Sequence, residues 1–275
     1  MTFGVRALTV SFGDTRALDD VTVEVTPGTV VAVVGGDGAG KTTLLRALVR
    51  EVRPDHGAVM APGKADIGFL PAASGSWAAL TVNQNLDFAG GVFGLTGADL
   101  HSRRDRLLAG ADLTKAADRL ASQLSGGMRR KLGFCMAMVG SPALLVLDEP
   151  STGVDPVSRI DLWRMISEAA ADGTAVIMST TYLDEAERAA HLVVLDGGRV
   201  LVQGPYDEVR REFPGAITSS DEPVRRAWSW RRGRQRHEYW PDGDPPAHLA
   251  RVDADLEDIV IALSLARRAS TEATL

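Results

Sequence analysis

The densest chemistry in the chain lies in nine residues, Gly35-Gly-Asp-Gly-Ala-Gly-Lys-Thr-Thr43. Gly35, Gly40, Lys41 and Thr42 fall at the spacing of a phosphate-binding loop, with a strand-like run before it and a helix-like run after. The small residues Gly36, Gly38 and Ala39, with Asp37 between them, let backbone N–H groups turn inward onto phosphate oxygens. A helix beginning there adds partial positive charge. Lys41 supplies a mobile cation to the outer phosphates, and the Thr42 hydroxyl suits Mg²⁺. A dinucleotide fingerprint is excluded, because Lys41 follows Gly40 where the next turn of helix needs a glycine.

Two further groups complete such a site. Leu144-Leu-Val-Leu-Asp148-Glu149-Pro150 ends a buried strand in two carboxylates. Asp148 suits the metal, and Glu149 suits the general base that polarises the attacking water. Ser125-Gly126-Gly127 precedes a helical run and forms a second anion-ready helix start.

The elements that must position these residues follow from periodicity. Val5–Val10 and Val21–Val25 alternate as half-buried strands, whereas Thr29–Val34 is a continuous run expected of a strand buried on both faces. Ile67–Leu70, Leu144–Leu147 and Ala175–Met178 read as further strands, and Leu192–Leu195 with Arg199–Val202 as a hairpin about Asp196-Gly-Gly. Helices are expected over Gly126–Met138, over Pro156–Ala171 and over Asp255–Arg268, and leucines among charges make a helical subdomain of about 86–140. Strands alternating with helices predict an α/β core with a largely parallel sheet. The texture changes near Pro214, giving a main domain of 1–213 and a small accessory region of 214–275.

Taken in order, Gly35–Thr42, Leu124–Met128 and Leu144–Pro150 resemble the nucleotide-binding domain of ATP-binding cassette (ABC) proteins. Ser151–Asp155 is similar to that family's D-loop, and Phe12 stands where the family places an adenine-stacking aromatic. The resemblance covers about 5–204. It implies a P-loop NTPase fold with an antiparallel β subdomain and an α-helical signature subdomain. It also implies ATP and Mg²⁺ as cofactors, and a head-to-tail cassette dimer in which Ser125, Gly126 and Gly127 serve the partner's ATP. Closure by that second helix end would expel water and strengthen the charge interactions inside.

Two positions depart from the family. Its usual glutamine after the strand at Ile67–Leu70 is Ala72, and its switch histidine is Thr181. Alanine cannot coordinate or donate, and threonine cannot become a cation. An impaired site of this chain's own is therefore expected, completed by a partner cassette, with a different chain favoured over an identical one. Leu80–Leu86, Asp148–Pro156, Tyr182–Glu187 and Asp255–Leu263 look like the cassettes of ABC-2-type exporters. That implies an integral membrane permease as partner, with Ala73–Ala89 against it, and a peripheral location on the cytoplasmic face of the cell membrane. A soluble ABC ATPase acting on nucleic acid or ribosomes is the competing reading.

Composition bears on these alternatives. The net charge of -6 and pI of about 5.4 give no overall pull toward nucleic acid. The residues Met1–Arg6 lack the layout of a signal peptide, and no apolar run approaches the ~18–20 residues of a membrane span. Cys135, the single cysteine, lies in an apolar run and reads as core. Arginines and tryptophans interleave over Arg225–Arg236, which reads as a strand with solvated arginines and packed tryptophans, against nucleic acid or lipid binding. Asp184, Glu185 and Glu187 read as a solvated helix face.

Overall fold

Alternation sets the first two strands. In the computed structural model, which describes residues 2–272, β1 (Phe3–Phe12) and β2 (Thr15–Val25) pair antiparallel around Gly13-Asp14. Val5, Leu8, Val10, Leu18, Val21 and Val23 are buried on one side of the pair. β3 (Val30–Val34) is buried at every residue, as its unbroken run of Val and Ala demands. It leads into α1 (Lys41–Leu48). β4 (His56–Met60) then pairs with the other edge of β1 and completes a three-stranded antiparallel sheet, the β subdomain expected from the resemblance.

After β5 (Ile67–Leu70) come three helices, α2 (Val82–Val92), α3 (Gly97–Gly110) and α4 (Gly126–Met138). Thr81 starts α2 with a capping box, its hydroxyl accepting from the Gln84 amide while the Gln84 side chain accepts from the Thr81 amide. β6 (Leu144–Leu147), α5 (Pro156–Ala171), β7 (Ala175–Thr180), α6 (Leu183–Arg188), β8 (His191–Asp196) and β9 (Arg199–Gly204) follow. The core sheet runs β5-β6-β7-β3-β8-β9, and its pairings from β5 through β8 are parallel. Four consecutive residues of β6 are fully buried, each contributing about 1.5–3 kcal/mol of transfer energy.

Parallel pairing brings the C-terminal ends of β3, β6 and β7 to one edge. Leu147 lies opposite Met178, and Val34 opposite Thr180. β7 runs two residues past the expected Met178, because Ser179 and Thr180 keep the register with Val33 and Val34. Apolarity alone hid that extension.

The chain forms two compact units, Met1–Val200 and Leu201–Leu275, and the sequence boundary at 213/214 lies within the second. That unit contains α7 (Tyr206–Arg211), β10 (Ala216–Ser220), β11 (Ser229–Arg232), β12 (Gln235–Trp240), β13 (Ala250–Val252) and α8 (Leu256–Glu272). Its antiparallel sheet has the order β11-β12-β10-β13. Ile217, Tyr239 and Ala262 are its buried centre, with Trp228 and Trp230 packed against them. Within Arg225–Arg236, Ser229–Arg232 and Gln235–Arg236 are strand, as expected, while Arg226–Trp228 forms a short 3-10 turn, and several of the arginines are engaged rather than solvated. Arg225 pairs with the buried Glu238 at 3.2 Å, and Arg232 meets Asp258 at 2.8 Å and also Asp255. Sequence spacing could not show these carboxylates folding back onto the guanidinium groups.

Candidate functional site

Between β3 and α1 the backbone makes a tight loop whose geometry only glycine satisfies at its close. Gly40 has φ of +104°, and a Cβ there would stand 2.6 Å from the Ala17 carbonyl oxygen. Buried Lys41 folds back over the loop, its Nζ donating to the carbonyl oxygens of Gly35 at 2.8 Å and Gly36 at 3.1 Å. The loop opens on a cavity of about 320 Å³ lined by Asp37–Thr43, Phe12, Arg16 and Glu149. Phe12 is 56% exposed, so it is a free aromatic face at the cavity and not a core residue. Arg16 also lines this cavity; no motif marked it in the sequence.

Register delivers the second half of the site. Asp148, 1% exposed, accepts from the Thr42 hydroxyl at 3.2 Å and from the Ser179 hydroxyl at 2.7 Å. Ser179 Oγ accepts in turn from the Glu149 amide at 2.9 Å. Glu149 adopts φ of +47°, a conformation rare outside glycine and characteristic of functional positions. Its carboxylate lies 3.9 Å from Lys41 Nζ and accepts from the Thr152 hydroxyl at 3.1 Å. Thr42 and Asp148 thus present adjacent hard oxygen donors, the chemistry that fits Mg²⁺ beside a phosphate tail. Ser179 braces the pair, and its place outside any motif kept it invisible in the sequence.

Ser125, Gly126 and Gly127 do not line this cavity. Ser125 caps α4 by accepting from the Met128 amide at 3.2 Å, and Ser125 and Gly126 face outward. Gly127 packs against α5, where a Cβ would come within 2.4 Å of Ser158 Oγ. Ala72 and Thr181, the two departures, are both exposed.

The expectation that Asp184, Glu185 and Glu187 form a solvated face is corrected at Glu185, which is 3% exposed. Its carboxylate accepts from Thr180 Oγ1 at 2.6 Å, Ser151 Oγ at 2.9 Å and Arg159 Nε at 3.3 Å. Three donors offset its desolvation, and they tie the 151–155 loop to the end of β7.

A family profile described as ABC transporter matches residues 18–152. The daunorubicin/doxorubicin resistance ATP-binding protein DrrA of Streptomyces peucetius is 34% identical over 261 residues, covering 88% of this chain and 78% of that protein. The chain belongs to the ABC transporter family. The probable multidrug ABC transporter ATP-binding protein YbhF of Escherichia coli (strain K12) is 39% identical over 198 residues, which is 68% of this ABC chain but 34% of that relative. A solved structure described as an ATP binding subunit of ABC transporter matches with a TM-score of 0.71 and 29% identity. It covers 78% of this chain and 93% of its own. The loop at Gly35–Thr43 lies within the residues that the family profile matches.

Proposed function

We propose that this cassette binds Mg-ATP at Gly35–Thr43 and works as the ATP-hydrolysing subunit of an exporter, docked peripherally on a membrane permease. The observation that carries the reading is the convergence at one sheet edge of Lys41, Thr42, Asp148 and Glu149 below a free Phe12 face. Lys41 and the inward amides bind the phosphates, and Phe12 stacks the adenine. Thr42 and Asp148 hold Mg²⁺, which when bound neutralises phosphate charge. Glu149 accepts the proton of the attacking water as its oxygen bonds to the terminal phosphorus, and ADP leaves with the bridging oxygen.

Relatives named for daunorubicin/doxorubicin resistance and multidrug transport favour export. Among the described residues no helix is long and apolar enough to cross a membrane, so the membrane path belongs to a partner in this reading. A groove of about 340 Å³ lined by Phe69, Pro71, Trp77, Phe88 and Val92 suits the permease contact expected at Ala73–Ala89.

Ala72 and Thr181 leave this chain's own site without the usual glutamine and histidine. A small misplacement of the reacting groups costs on the order of 10²-fold in rate. The outward Ser125-Gly126 start of α4, with Gly127 packed behind it, then completes an ATP site on a second, non-identical cassette. Steady-state ATP turnover tests this: the chain alone should be slow, and Ala72→Gln with Thr181→His should accelerate it at least about tenfold. Brisk turnover of the unaltered chain, unimproved by both changes, would establish a self-sufficient homodimer instead. Recovery of the tagged chain with a permease and a second cassette from detergent-solubilised membranes checks the partners.

A further inference from the structure

Two cationic residues, Lys41 and Arg16, line the cavity beside the Gly35–Thr43 loop, together with the acidic Asp37 and Glu149. Lys41 is committed to the carbonyls of Gly35 and Gly36 and lies 3.9 Å from Glu149. Arg16 is held more loosely. Its side chain is 60% exposed, and its Nη1 donates to Asp19 Oδ1 at 3.0 Å. Asp19 does not depend on that bond. Arg199, on β9, pairs with its other carboxylate oxygen, and the Asp19 amide donates to the Gly198 carbonyl oxygen at 2.8 Å. Exposed ion pairs of this kind contribute little to stability, so Arg16 can leave without orphaning a carboxylate.

The place of Arg16 along the hairpin decides what it would meet. β1 and β2 pair Phe12 with Thr15 and Ser11 with Arg16. One residue further on, the Ala17 carbonyl oxygen lies 2.6 Å from where a Gly40 Cβ would stand. The cavity wall therefore runs from the free Phe12 face through Thr15 and Arg16 to the close of the loop at Gly40. From Thr15 to Ala17 the strand spans roughly 7 Å, room for a sugar and the phosphate attached to it. With adenine on Phe12 and the outer phosphates at Lys41, the group beside Arg16 is the α-phosphate. We propose that Arg16 is a further nucleotide-binding residue, which exchanges Asp19 for the α-phosphate of the bound nucleotide while Arg199 keeps Asp19 paired. A planar fork of donors suits that phosphate. The inference rests on the reading of Gly35–Thr43 as an ATP site.

Calorimetric titration with Mg²⁺ and either ADP or a non-hydrolysable ATP analogue tests the exchange. The two ligands share the α-phosphate, so at low salt Arg16→Gln should weaken both to the same extent, at least about fivefold. At about 0.5 M salt that loss should shrink below about twofold, because an exposed contact is screened. Arg16→Lys keeps the charge and should stay within about threefold of the original affinity. Asp19→Asn removes the competing carboxylate and should bind at least as tightly as the unaltered chain. A smaller loss in Arg16→Gln at low salt overturns the contact. So does a loss confined to the ATP analogue, which would place Arg16 at the terminal phosphates. A loss of equal size in Asp19→Asn also overturns it, since the Arg16–Asp19 pair would then be a support of the hairpin. Failure of the unaltered chain to bind either nucleotide is a separate result, one that removes the ATP reading itself.

Discussion

Lys41 has two tasks in this structure, because the ammonium that would meet phosphate already pins the carbonyls of Gly35 and Gly36. Lys41→Ala should therefore weaken ATP binding by about 10–100-fold in calorimetric titration, roughly 1.4–2.7 kcal/mol of charge-assisted bonding. Unchanged affinity would remove the phosphate assignment. Glu149→Gln separates binding from chemistry. It keeps the size and the contact with Thr152 but loses the base, so kcat should fall by at least about 10²-fold while the ATP Kd stays within about threefold. Equal losses in both would give Glu149 a binding role instead. Lys41, Thr42 and Asp148 were legible in the sequence because phosphate chemistry imposes their spacing. Ser179 and Glu185 were not. Each acquires its role from partners 31–34 residues away, Asp148 and Ser151 respectively, and no local pattern records such meetings.

At the scale of elements, the buried strands were the clearest. A run such as Leu144–Leu147 has no polar face, so it had to lie inside a sheet covered on both sides, and it does. Polar strand ends were harder to see, as the extension of β7 through Ser179 and Thr180 shows. The contact of α4 with α5 offers a direct check on helix placement. Gly127→Ala puts a methyl group against Ser158, and overpacking of this kind costs about 1–3 kcal/mol. The melting temperature should fall by roughly 2–12 °C, and Ser158→Gly in the same chain should restore most of it. An unchanged melting point would mean that the two helices separate more readily than their packing implies.

At the scale of the whole chain, the two compact units differ in how they are held. The first rests on a large apolar core, whereas the second adds a buried carboxylate, Asp258, shared by Arg232 and His237. Cys135, on α4, is fully buried. Burial pushes that thiol up to about 12, against a smaller opposing pull from Lys131. At pH 8 the thiolate fraction is then roughly 10⁻⁴, leaving almost no nucleophile. A colorimetric disulfide reagent should report no reaction in the native protein and one thiol after denaturation; rapid native reaction would contradict the burial. Because the chain's single thiol is sealed away, it is already suited to site-directed labelling without prior removal of cysteine. A probe attached to a cysteine substituted at exposed Val157 or Phe88 would be the sole tag on each copy. Distances from such a tag to a neighbouring cassette or to a permease could then be followed through each stage of nucleotide turnover.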